Sequence, residues 1–284
     1  MKSSPCVQQL VPSTNMYPHH ASTIQNIIDH LFPLPSVLAV LLTGSIVHGF
    51  ATPESDVDML VILTEDAYAE RQQSGEITFV NHELATWPGG FIDAKYTSLS
   101  FLREVAARGS EPARFALEGA VVLFNKVPVG EDGDPNALRE VLCQAVRYPV
   151  EGKRERMVRF RAQLDAWRCF CNEARQKGNK YWLNFSASKL VLFGGRLVLA
   201  ENEVLYPYHK WFLKVLEGVK EKPNGMMESV QKLVDDPSEE NVEAFYELVK
   251  DFRDWPQTTN RWGAQFMRDS ELTWLSGHTP VDDL

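Results

Sequence analysis

The sequence predicts an α+β protein: a small domain of mixed sheet and helix, followed by a helical bundle. Three observations lead there. Short apolar runs, Val37 to Leu42 bounded by Pro and Gly and Val57 to Leu63 after a loop at Thr52 to Ser55, have the length of buried strands rather than helices. Further on, Met157, Phe160, Leu164, Trp167 and Cys171 recur at steps of three and four, one stripe of a long amphipathic helix. Between the two patterns lies a stretch rich in Gly, Asp and Pro, Pro128 to Pro135, and the boundary is placed there, giving domains 1–130 and 131–284.

Taken in order, the residues up to Pro18 read as an extended lead-in and His19-His20 as a solvated loop. Ile24, Ile27, Ile28 and Leu31 have helical spacing, and Pro33 and Pro35 stop that helix. After the first strand, Gly44 to His48 opens a short helix and Thr52 to Ser55 is a loop before the second strand. Glu76 to Leu84 and Phe91 to Thr97 read as two more strands around a turn at Pro88-Gly89-Gly90. Leu99 to Ala107 and Pro112 to Leu117 read as helices, and Ala120 to Phe124 as a short edge strand. In the helical part, Trp182 to Ala200 is apolar nearly all round, as a central bundle helix must be. Val242, Phe245, Tyr246, Val249 and Phe252 form another stripe. Trp255, Trp262, Phe266 and Trp274 are read as docking residues of a C-terminal tail rather than a base-stacking platform. Asp235, Asp236, Glu239 and Glu240 are read as helix-end and N-cap charges.

Composition narrows the functional classes. Of 284 residues 44% are hydrophobic and 24% charged, so the chain can bury a substantial core. The net charge of −9 disfavours a sequence-independent nucleic-acid binder. The longest apolar run is too short to span a bilayer, and Met1 to Met16 has no apolar leader segment. Four cysteines, Cys6, Cys143, Cys169 and Cys171, are too few for a disulfide scaffold of this size, and reduced thiols in a cytoplasm are expected.

The chemistry concentrates in Leu41-Leu42-Thr43-Gly44-Ser45 and, ten residues on, Asp56-Val57-Asp58. Gly44 and Ser45 end an apolar strand and begin a helix, where free backbone N–H groups attract anions. Asp56 and Asp58 project to one side of a strand, with Cα atoms roughly 6–7 Å apart. Two bare carboxylates that close repel by about 3 kcal/mol at an effective dielectric of 20. A divalent cation removes that penalty, and Mg²⁺ prefers carboxylate and phosphate oxygens. A plainer reading makes Asp56 a loop or cap residue and Asp58 a solvated strand-edge acid. Asp93, interrupting the apolar strand Phe91 to Tyr96, is the expected third acid; its alternative is a pairing with Lys95 on the same face. Three carboxylates sharing two metals suit an in-line displacement with pyrophosphate as leaving group.

The segment Gly44-Ser45 through Asp56-Val57-Asp58, with Asp93 downstream, resembles the nucleotidyltransferase superfamily that includes DNA polymerase beta, and among its members the aminoglycoside and lincosamide enzymes. The resemblance covers Val37 to Thr97, about a fifth of the chain. It implies a mixed-sheet nucleotidyltransferase domain in which Gly44 and Ser45 hold the triphosphate. Asp56, Asp58 and Asp93 would ligate two Mg²⁺ ions, and Asp93 would favour deprotonation of the acceptor hydroxyl. His48 departs from the pattern, standing where many relatives carry Arg, and is read as a helix-face or capping histidine. A second, weaker resemblance covers Arg196 to Asn202 and Tyr206 to Trp211, similar to a segment near the nucleotide in helical domains of these transferases. There Lys210 is a candidate phosphate contact or a lysine snorkelling beside Trp211, and Arg196 a partner for a phosphate or a structural carboxylate. The expected activity is transfer of a nucleoside monophosphate, AMP by preference, from an NTP to a hydroxyl of a small and cationic acceptor such as an aminoglycoside-like antibiotic. The alternatives are a protein or RNA acceptor, and a regulatory module that binds nucleotide without turnover.

Overall fold

A computed structural model describes residues 16–127, 136–257 and 262–277. The chain divides into two compact units, the first comprising 1–109 and 113–147, the second 110–112 and 148–284.

In the first unit, helix α1 spans Pro18–Leu31. It begins earlier than its apolar spacing indicates, because Pro18 at the first helical position has φ preset for a helix and lacks the N–H that would go unpaired there. His19 and His20 therefore lie on the first turn of a helix, not in a solvated loop, and His20 is fully buried. The strands are β1 (Val37–Leu42), β2 (Val57–Leu63), β3 (Thr78–Asn81), β4 (Ile92–Ser98) and β5 (Val121–Asn125), in the order β3-β4-β2-β1-β5. Among the described residues only the β2–β4 pairing is parallel. A parallel neighbour needs a crossover, which helix α3 (Glu65–Ser74) and β3 supply. This helix has no apolar stripe and buries no residue, so periodicity does not reveal it. Its start is set instead by Thr64, whose hydroxyl accepts from the Ala67 amide at 3.4 Å, and its end by Gly75 at φ +79°. Strand β3 is shorter than the expected Glu76 to Leu84, as suits an edge strand with little buried surface.

One face of the sheet packs Val57, Met59 and Val61 against Ile24, Ile27 and Leu31 of α1. The opposite face packs Leu41 and Ile62 against Leu102 and Val105 of α4 (Leu99–Arg108) and Leu138 and Leu142 of α6 (Ala137–Ala145). The buried Arg114, on the short helix α5 (Glu111–Phe115), donates to the carbonyls of Ala106 and Ala145, the last turns of α4 and α6. These contacts keep α6 with the sheet, so the division falls after Arg147 rather than at 130. The expected linker, Pro128 to Pro135, lies outside the described residues.

The second unit is helical. Helices α7 (Lys153–Gln176) and α8 (Lys180–Glu201) are its longest members, and the interior positions of α8 from Leu190 to Ala200 are buried throughout. Helix α8 alone among the described residues is long and apolar enough to cross a membrane, and most of it is buried inside this unit, as a core helix is. Arg196 is fully buried, its guanidinium 4.5 Å from the Phe160 ring centroid and 4.2 Å from that of Tyr206. Glu111, only 3% exposed, lies 3.4 Å from Arg196, so the structural-carboxylate alternative describes this arginine. Of the late aromatics, Trp255 and Phe266 are buried as docking residues, whereas Trp274 is 75% exposed. Asp235 ends α9 (Met226–Asp235) with Asp236 as its C-cap; Glu239 and Glu240 open α10 (Glu239–Lys250), but the N-cap there is Ser238. Cys169 and Cys171 are free, as expected, while Cys143 is disulfide-bonded, against the expectation of reduced thiols. A low cysteine count argues against a scaffold of bridges, not against a single one.

Candidate active site

The three acids arrive by different routes. Asp58 and Asp93 are inside adjacent parallel strands and are register partners, so their side chains stand side by side on one face. That face is the one covered further along by α4 and α6, through Ile62. Asp56 lies just before β2, two residues from Asp58 and on the same side. One oxygen from each of Asp56, Asp58 and Asp93 can be chosen so that all three lie within 4.8 Å of one another. All three residues are half-buried. Among the described residues Asp93 makes no ion pair with Lys95, which is exposed.

Gly44 belongs to this arrangement by sterics. It opens the short helix α2 (Gly44–Val47) with φ +70°, and a Cβ there would fall 1.9 Å from Asp58 Oδ2. Only glycine tolerates both the left-handed backbone and a carboxylate laid against its α-carbon. The Thr43 amide donates to the Asp58 carbonyl at 3.0 Å, which fastens the end of β1 to the strand carrying the acids. Ser45 is 5% exposed, and its hydroxyl has no hydrogen-bond partner among the described residues. Burying an unpaired hydroxyl is costly, and a phosphate oxygen is the kind of acceptor that would relieve it. Crowded carboxylates and a buried, unpaired hydroxyl together fit a divalent cation and a phosphate group.

His48 is the C-cap of α2, as the capping reading expected. Its ring stacks on Phe115 at 4.3 Å between centroids and 7° between planes. Burial pushes its pKa down to about 4. At neutral pH the imidazole is uncharged and does not replace an arginine as a cationic phosphate ligand. Lys210 is on the exposed 3-10 turn His209–Trp211 of the second unit, with its ammonium 5.1 Å from the Trp211 ring centroid. That contact is the packing its snorkelling alternative describes.

Sequence reasoning missed two residues beside this site. Phe115 stacks on His48 across 67 positions of chain, a distance that no local pattern spans. His20 donates from Nε2 to the carbonyl of Ser55, the residue before Asp56, at 2.9 Å.

Residues 21–106 match the model of the nucleotidyltransferase domain. No curated protein matches the chain. Among solved structures, a nucleotidyltransferase-like protein from Exiguobacterium sibiricum is similar at 14% identity and a TM-score of 0.45, over 91% of this chain and 87% of that one. A likeness that slight assigns no residue a role.

Proposed function

We propose that the chain, whose residues 21–106 match the nucleotidyltransferase domain, is an enzyme that moves a nucleoside monophosphate, AMP by preference, from a Mg²⁺-bound NTP to a hydroxyl of a small molecule. The observation that carries this reading is the meeting of Asp56, Asp58 and Asp93 within 4.8 Å. These carboxylates would hold the cation or cations, whose charge favours the alkoxide form of the acceptor and neutralises the leaving pyrophosphate. The chain's residues do the rest. Gly44 lets the Asp58 carboxylate lie against the backbone and is kept as a nucleotide contact through the main chain at the start of α2, and Ser45 offers its unpaired hydroxyl to a phosphate oxygen. Asp93 takes the proton as the acceptor oxygen bonds to the α-phosphorus and the bond to the bridging oxygen of pyrophosphate breaks. Lys210 is retained as a phosphate contact on its charge alone, and Lys210→Ala then raises the KM for NTP; an unchanged KM returns it to its packing role against Trp211.

The acceptor is taken to be small and hydroxylated by analogy with the transferases the motif resembles, and cationic because the chain is acidic, with a net charge of −9. Dependence on NTP places the reaction in the cytoplasm in this reading. Incubation with Mg²⁺, each labelled NTP and a panel of aminoglycoside-like and other hydroxylated acceptors tests it. Pyrophosphate release with a modified small molecule supports the proposal. Label on protein or RNA replaces the acceptor class. Nucleotide binding without release under any acceptor refutes transfer.

A further inference from the structure

Of the three acids, Asp56 alone is outside the strands: β2 begins at Val57, whereas Asp58 and Asp93 are locked in register inside the sheet. Something other than the ladder must place it. On its C-terminal side the Val57 amide donates to the Phe91 carbonyl at 3.2 Å. On its N-terminal side the tether comes from α1. His20 Nε2 is 2.9 Å from the Ser55 carbonyl, and His19 Nε2 is 2.9 Å from the Pro53 carbonyl. A carbonyl only accepts, so both nitrogens carry the proton and donate. The peptide unit is planar, so holding the Ser55 oxygen also orients the Asp56 amide and restricts its α-carbon.

His20 is built for this bond and for little else. It is fully buried, with the Trp87 ring 5.2 Å away and edge-on and the His19 ring at 4.3 Å. Its Nδ1 has no partner among the described residues, so its one polar contact there is with Ser55. Desolvation holds its pKa below the usual histidine value, which keeps the ring neutral with the proton on Nε2. The ring is seated by a second set of bonds further from the acids. The Thr86 amide donates to Thr23 Oγ1 at 3.0 Å, and the Thr86 hydroxyl donates to the His19 carbonyl at 2.9 Å.

We propose that His20 is a positioning residue for Asp56: its Nε2–H holds the Ser55 carbonyl, and with it the peptide bearing Asp56, where the Asp56 carboxylate meets those of Asp58 and Asp93. The inference rests on reading that triad as a cation site, and its test separates the two. Mn²⁺ binding to the full chain is measured by the loss of the free-ion electron paramagnetic resonance signal, alongside thermal unfolding in EDTA. His20→Ala is expected to raise the Mn²⁺ Kd roughly tenfold, the lower end for loss of an outer-shell bond. His20→Gln, whose amide nitrogen reaches the position of Nε2, restores most of the affinity. His20→Asn, whose amide falls at the position of Nδ1, does not. Asn26→Ala removes a different tether of α1, the bond from the Asn26 side-chain amide to the Leu84 carbonyl at 3.0 Å, without touching His20 or its seat, and lowers the melting temperature while leaving Mn²⁺ binding unchanged. Should His20→Ala fail to fold, the comparison of Gln with Asn decides the matter. Equal Mn²⁺ affinity in wild type and His20→Ala, or in His20→Gln and His20→Asn, overturns the assignment. Absence of Mn²⁺ binding by the wild type overturns the cation site itself, and the positioning role with it.

Discussion

Asp93→Asn isolates the electrostatic argument, because it removes one charge from the cluster at nearly constant shape. With carboxylate oxygens within 4.8 Å, each pair of unit charges repels by about 3.5 kcal/mol at an effective dielectric of 20 and about 0.9 kcal/mol at 80. The substitution deletes two such pairs. Half-buried groups fall between those limits and solvent screens them further, which leaves a net gain on the order of 2 kcal/mol in metal-free protein. For a domain of this size that corresponds to a melting temperature higher by roughly 4–8 °C in EDTA. With saturating Mg²⁺ the order reverses, since the cation stabilises the wild type by binding only its folded form. Transfer should fall by about 10²–10⁴-fold, the usual cost of losing a positioned base. Differential scanning fluorimetry in EDTA and in Mg²⁺, paired with a pyrophosphate-release assay, reads both halves. A variant that melts lower than wild type in EDTA shows that the acids do not strain the empty site. A folded variant with wild-type turnover shows that Asp93 has no part in the chemistry.

Gly44→Ala places a methyl group where Asp58 Oδ2 now lies and forces a non-glycine residue to φ +70°; a loss of about 1–2 kcal/mol from the backbone alone, with Mn²⁺ binding abolished, is expected by urea unfolding and spin-resonance titration. Glu111→Ala leaves Arg196 fully buried without its 3.4 Å carboxylate and should cost about 3–5 kcal/mol, read as a lower urea midpoint; a change below about 1 kcal/mol is incompatible with a buried ion pair of this kind. His48 has its pKa depressed from 6.5 to about 4, so the unfolded chain binds its proton first as pH falls. Its contribution is complete above pH 6.5 and is lost between 6.5 and about 4, a loss of roughly 3 kcal/mol. His48→Phe keeps the stack on Phe115 and should flatten that part of the stability–pH curve; an unchanged slope would mean that the imidazole is not desolvated.

What the sequence discloses and what it hides divide along chain separation. Strands β1, β2 and β4 were legible because apolar runs between Pro, Gly and polar punctuation leave few alternatives, and the pleat then puts Asp56 and Asp58 on one side. The pairing of Asp58 with Asp93 needed a parallel register 35 residues apart, which the motif suggests and the ladder supplies. Helix α3 was hidden because none of its residues is fully buried and it writes no apolar stripe; only Ala67 and Tyr68 lean on the core. The buried state of His20 was hidden for the opposite reason: two adjacent histidines after a proline look solvated, and Trp87 and Thr86, which enclose and seat them, lie more than 60 residues away. Arg196 was seen to need a partner, but Glu111 is 85 positions upstream, and no periodicity links them.

The parallel ladder between β2 and β4 has a consequence for how activity is acquired and lost. Side chains alternate along a strand, so sliding β4 by a single residue would turn Asp93 to the wrong side of the sheet and bring Ala94 or Ile92 opposite Asp58. In the proposed reading no intermediate alignment leaves all three carboxylates on one side. Turnover should therefore disappear in one step with the sheet's own cooperative melting, which makes catalysis a faithful gauge of whether the two strands have found each other.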